Sequence, residues 1–175
     1  MAAKESPTQP KGWEKMVSDF QPKSDRAVAV VGTVYLEAHL GLLLANFFVD
    51  DPAAKTRLLG QEQPLGNFSA RIKAAYALGL ISTNEYHDLN LMFEIRNIFA
   101  NEVEGASFND DDIRERCLRF KLPREVLLPG ETRTPRHLFV FTSTILTQHL
   151  AMRTEQASRE RRSPPDEFML IDVDH

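Results

Sequence analysis

The stretch that decides the fold is Ala27 to Val49, AVAVVGTVYLEAHLGLLLANFFV, 23 residues with one formal charge, Glu37. A run of that length can cross a bilayer. Glu37 near its centre argues against insertion, because a mid-helix acid costs ~2.5–3.5 kcal/mol there. His39 and Asn46 add to that cost. The cationic flank (Lys23, Arg26) and the anionic one (Asp50, Asp51) give only a weak orientation signal. A helix that is apolar on every side also suits the centre of a soluble bundle. The expectation is a buried central helix over residues 24–49, capped by Ser24 or Asp25, and no membrane span.

Working outward, the pattern is helical almost throughout. Residues 10–20, PKGWEKMVSDF, place Trp13, Met16, Val17 and Phe20 at helical spacing. Asp51-Pro52 restarts the chain after the long helix, Asp as N-cap and Pro at the first helical position, and predicts a helix over 52–60. Pro64 and Gly66 make a turn before a helix over 67–80, whose apolar positions are Phe68, Ile72, Ala75, Tyr76 and Leu80. Ser82-Thr83-Asn84-Glu85 has capping-box spacing. It opens a helix over 83–103 with Tyr86, Leu89, Phe93, Arg96 and Ala100 along one face. Asn109 reads as the cap of a short helix with Asp110, Asp111 and Asp112 in its first turn, favourable to the dipole. Residues 123–134 read as a loop. Thr134-Pro135 starts the last long helix, which Ser163-Pro164-Pro165 stops near Arg162. The fold class expected is all-α, a compact bundle of six to seven helices around the apolar one. The expected division is an arm over 1–23 with a short helix, a bundle over 24–162 and an acidic tail over 163–175.

Composition sets the outer limits. The chain has 175 residues, 42% hydrophobic and 26% charged, which suits one ordinary domain with its own core. A single cysteine, Cys117, excludes an internal disulfide framework and a cysteine-rich zinc site. The first residues, MAAKESPTQPKGWEK, lack the apolar core of a signal peptide, so the expected location is the cytoplasm.

Catalytic templates are missing: there is no GxxxxGK[ST], GxGxxG, HExxH, CxxC or GxSxG. The five histidines, at 39, 87, 137, 149 and 175, show no metal-ligand spacing, and no metal or cofactor is expected. Arg114 and Arg116 lie close to Cys117 in sequence, but without a histidine partner the thiol reads as inert. The unusual positions are polar groups on apolar faces. Glu37 is the sole charge of its helix, and Arg96 lies on the row that Leu89 and Phe93 define as inward. Buried charges must be paired. The candidate site is therefore a buried polar cluster of Glu37, Arg96, Asn97 and Asn101, with Glu37 and Arg96 meeting inside the bundle. The alternative is that both reach solvent at its edge.

The block from Leu58 to Ile113 carries a resemblance. Pro64-Leu65-Gly66, Ser69-Ala70-Arg71-Ile72-Lys73, Tyr76-Ala77-Leu78-Gly79-Leu80, Glu85-Tyr86, Ile95-Arg96-Asn97 and Phe108 before Asp110–Asp112 resemble the mannitol operon repressor family of small helical bacterial regulators. The segment with Glu37-Ala38 fits as well, so the likeness covers roughly residues 24–120. A second, broader likeness rests on Arg96-Asn97 through Asn101. It resembles the end of a helix in higher eukaryote and prokaryote nucleotide-binding (HEPN) domains, whose active members pair that Arg with a His in a metal-independent ribonuclease. Here Asn101 stands where the histidine belongs. Asn exchanges no proton near neutral pH, which argues against nuclease activity.

Three functional readings follow. The first, implied by the resemblance, is a non-catalytic regulator that represses transcription through protein contacts, with homodimerisation implied by analogy. The second is a HEPN-type RNA-binding protein or ribonuclease of a toxin or defence system, and the third an interaction module without a direct transcriptional role. Candidate contact surfaces are the last helix and Phe168-Met169-Leu170-Ile171. The formal charge of −4 disfavours nucleic acid as a partner. It averages unlike parts: residues 114–162 hold 11 basic and 5 acidic side chains, while 163–175 hold four acids and no base. Arg153, Arg159, Arg161 and Arg162 are thus a candidate basic contact surface for phosphate or an acidic partner. A solvated face, or one covered by the acidic tail, is the alternative. Whether DNA is touched directly is left open by the residues.

Overall fold

The computed structural model describes residues 24–102, 105–126 and 133–167. The expected helix 10–20 and the apolar tail segment 168–171 lie outside them. The described residues form seven helices and no strand: α1 (Asp25–Phe47), α2 (Pro52–Leu59), α3 (Phe68–Ala77), α4 (Thr83–Asn101), α5 (Asp111–Leu118), α6 (Leu122–Val126) and α7 (Pro135–Arg159).

Local chemistry sets most boundaries. Ser24 caps α1, its hydroxyl accepting from Ala27 N at 3.3 Å. Asp51 caps α2 through Ala53 N and Ala54 N, with Pro52 in the first turn. Asn67 caps α3. That helix stops at Ala77, short of the expected 80, because Gly79 turns left-handed at φ +70°. Gly79 N then bonds Tyr76 O, and Leu80 N reaches Ala75 O at 2.9 Å, the Schellman pattern. The capping box at Ser82 and Glu85 is present in both directions. For α5 the cap is Asp110 and not Asn109. The stretch expected as a loop over 123–134 contains α6, with Pro123 in its first turn, where a missing N–H costs nothing. Thr134 caps α7, which ends at Arg159.

α1 and α7 pack along each other at the centre, with α3 and α4 against α1 and α5 against α7. One side of α1 is core: Val28, Leu36, Leu40, Leu43 and Leu44 are fully buried. α7 contributes Phe139, Leu146 and Leu150, and α4 contributes Leu89, Met92, Ile95 and Phe99. The rings of Phe99, Phe108 and Phe139 form a chain with centroids 4.9 and 5.1 Å apart. Asp25 pins the far ends together, accepting from Phe108 N and Ser107 Oγ and pairing with Arg136.

α1 is long and apolar enough to cross a membrane by length and composition. Within the bundle, however, it is buried on one side only. Its opposite side is exposed at Val30, Val34, Ala38 and Leu42. The helix expected to be buried all round is therefore covered over about half its circumference by the described residues.

Candidate functional site

The polar centre of the bundle lies at the start of α4, about three turns before the Arg96 position expected from the sequence. Glu85, the capping-box acid, is 1% exposed. Its Oε2 accepts from Ser82 N at 2.6 Å, while Oε1 takes Arg153 Nε at 2.9 Å and lies 3.0 Å from His149 Nδ1. His149 and Arg153 stand four residues apart on one face of α7, and so reach a single carboxylate together. Burial pushes the Glu85 carboxyl up. The hydrogen bonds from His149, Arg153 and Ser82 outweigh that and leave its pKa at about 2. The carboxylate thus does two jobs: it closes the capping box and clamps α4 to α7.

One turn on, Asp88 is fully buried. It accepts from Lys121 N at 2.9 Å and Leu122 N at 2.8 Å, holding the chain where α6 begins, and lies 2.8 Å from His87 Nδ1. A third strut is Arg71. Its Nε, Nη1 and Nη2 donate to the carbonyls of Leu65, Glu37 and Leu59 at 2.9, 3.0 and 3.0 Å. This planar fork binds α1, the end of α2 and the following turn together.

The expected buried cluster does not form. Arg96 is exposed and donates to Asn97 Oδ1 at 3.1 Å, and Asn101, the last residue of α4, is exposed. Glu37 is half-buried, and among the described residues no ion pair joins it to Arg96. The error is one of phase: the inward row of α4 runs Glu85, Asp88, Met92, Ile95, Phe99, and Arg96 lies about 100° round from Ile95. The basic surface is also redistributed. Arg153 is held by Glu85. Arg161 donates to Asn46 O and Oδ1 and pairs with Asp50 at 2.9 Å. Arg162 lies over the Phe47 ring at 5.0 Å, and its N–H bonds Phe47 O. Arg159 is exposed, with no partner among the described residues. Arg153 thus clamps α7 to α4, while Arg161 and Arg162 fasten the residues after α7 to the end of α1.

Two clefts flank the start of α4. One, about 320 Å³, is lined by Glu85, His149, Met152, Arg153 and Gln156. The other, about 280 Å³, includes Tyr86, His87, Asn90, Arg119 and Lys121. Tyr86 stacks on Tyr76 at 4.2 Å beside it. Met152, which lines the first, stands 63% exposed. Burial raises the Cys117 thiol pKa to about 12, so the thiol is no nucleophile at neutral pH. Among the described residues no three His, Cys, Asp or Glu side chains are grouped to hold a metal.

Such a molecule is a helical bundle whose buried ionic groups act as internal struts. The chain belongs to the mannitol repressor family, whose sequence profile matches residues 24–159. It is 33% identical over 95 residues to the mannitol operon repressor of Escherichia coli K12, and equally to that of E. coli O6:H1. That match covers 52% of this chain and 49% of the relative, so the chain spans about half the length of the curated relatives it matches. Its fold is that of the MtlR chain in the E. coli MtlR–HPr complex, with TM-score 0.66 and 21% identity over 81% of this chain and 99% of the other. It is also that of YggD, a possible transcriptional regulator from Shigella flexneri, with TM-score 0.63 and 14% identity over 82% and 98%.

Proposed function

We propose that this chain is a cytoplasmic, non-catalytic regulator that represses a mannitol operon through protein contacts. The observation that carries this reading is the family match over residues 24–159, from the cap of α1 to the end of α7. The geometry is in keeping with it. Glu85 and Asp88, the two buried carboxylates among the described residues, are engaged by hydrogen bonds that tie α4 to other segments, which suits a rigid scaffold better than proton transfer. The clefts beside them, lined in part by Met152, Tyr86 and Leu91, offer the apolar anchors of a contact surface. HPr, the partner of the E. coli relative in the solved complex, is the first protein partner to test. Direct DNA contact through the arginines after residue 150 is not part of this reading, because Arg153 and Arg161 are engaged within the bundle.

Transcription of the mannitol operon in the source organism, measured with and without the gene, tests the function, and titration calorimetry against HPr tests the partner. Derepression on deletion and saturable binding weakened by Met152→Asp are expected. Unchanged transcription would overturn the regulatory role, and absence of HPr binding would overturn that partner.

A further inference from the structure

Val30, Val34, Ala38 and Leu42 recur every fourth residue on the outer side of α1, with Val34 57% and Leu42 53% exposed. Ala27, Val31 and Ala45 flank them, half-buried. This gives an unbroken apolar strip along one helix, where soluble proteins normally place polar residues. Two charges border it, Arg26 at its start and Glu37 midway.

The chain itself carries a matching segment directly upstream. Residues 10–20, PKGWEKMVSDF, have Trp13, Met16, Val17 and Phe20 on one helical face. Only Gln21, Pro22 and Lys23 separate this segment from Ser24, the cap of α1. Connections of about two to five residues join antiparallel helices, and Pro22 disfavours one continuous helix. We propose that residues 10–20 fold back as a helix antiparallel to α1 and cover its outer strip, seating Trp13 at the level of Val34.

Three features fit this register. Eleven residues at 1.5 Å each span ~16 Å, the distance from Arg26 to about Glu37. At the tethered end Asp19 falls at about the level of Arg26, a residue of opposite charge. The large side chains of the segment face the small ones of the strip, Val30, Val34 and Ala38, as interdigitation requires. A tether of three residues also gives this occupant a high effective concentration that a second copy of the chain lacks. Leu42 lies beyond its reach.

The chain has one tryptophan, Trp13, so its fluorescence reports on this segment alone. In the native full-length protein the emission is expected to lie blue of that of the urea-unfolded chain and to resist iodide quenching. Val34→Asp should shift it red and increase quenching while circular dichroism shows the bundle intact; Val34→Leu should leave both unchanged. The blue emission should persist on dilution. Native emission equal to the unfolded value, or emission indifferent to Val34→Asp, would overturn the proposal. So would blue emission lost on dilution together with a dimer-to-monomer shift in sedimentation, which would assign the strip to a second copy.

Discussion

Glu85 Oε1 and Arg153 Nε meet at 2.9 Å between α4 and α7, at a carboxylate that also closes the helix cap at Ser82. One buried group therefore couples a local signal to a contact 68 residues away. Removing the acid should loosen both. Glu85→Gln leaves Arg153 with a weaker acceptor and breaks a buried pair, which costs about 3 kcal/mol. Arg153→Ala should cost less, about 2 kcal/mol, because His149 still bonds Glu85. Urea midpoints of the two variants and the double mutant give the coupling. Full additivity would contradict a shared network.

The same carboxylate sets an acid limit. Its folded pKa of about 2 lies below the ordinary value of 4.5. Its stabilisation is thus complete above pH 4.5 and is lost as pH falls towards 2. By linkage the contribution is ~3 kcal/mol. Stability measured from pH 6 to 2 should fall less steeply in Glu85→Gln than in the wild type. Parallel curves would contradict the assignment.

Among the described residues, Asp88 is the acceptor for two amides at the start of α6, Lys121 N and Leu122 N. Asp88→Leu leaves both N–H groups unsatisfied, at about 2–4 kcal/mol in total. Hydrogen exchange at residues 121 and 122 should accelerate more than at the Leu146 amide in α7. Uniform acceleration would point to global destabilisation alone.

Arg71 and Gly41 are matched in shape. A methyl group at position 41 would lie 3.1 Å from Arg71 Nη1. Gly41→Ala should therefore cost about 1 kcal/mol despite the helix propensity of alanine. Arg71→Lys should cost about 2 kcal/mol through lost carbonyl contacts. The alanine penalty should vanish in that background, as thermal melts of the cycle would reveal.

Arg96 is exposed, and its side chain bonds only its neighbour Asn97 among the described residues. Arg96→Ala should change stability by less than about 0.5 kcal/mol. Incubation with labelled RNA should show no Arg96-dependent cleavage. Cleavage abolished by the substitution would revive the ribonuclease reading.

The sequence by itself determined the all-helical class and most helix starts. Ser24, Asp51, Asn67, the Ser82–Glu85 box and Thr134 are caps whose side chains bond amides within three residues. Such bonds are local and therefore legible in spacing. The phase of α4 was not. Aligning its inward row on Leu89 and Phe93 led to Arg96, whereas packing against α1 and α7 turned Glu85, Asp88 and Ile95 inward. A rotation of about 100° separates neighbouring residues, so a helix apolar on several positions leaves its phase to its neighbours. Only the tertiary structure decided which charges are struts: Glu85 with Arg153, Asp88 with the amides of 121 and 122, and Arg71 with three carbonyls. Their partners lie 6 to 68 residues away, and a buried ion's partner is set by the desolvated space the helices enclose, which no local periodicity encodes.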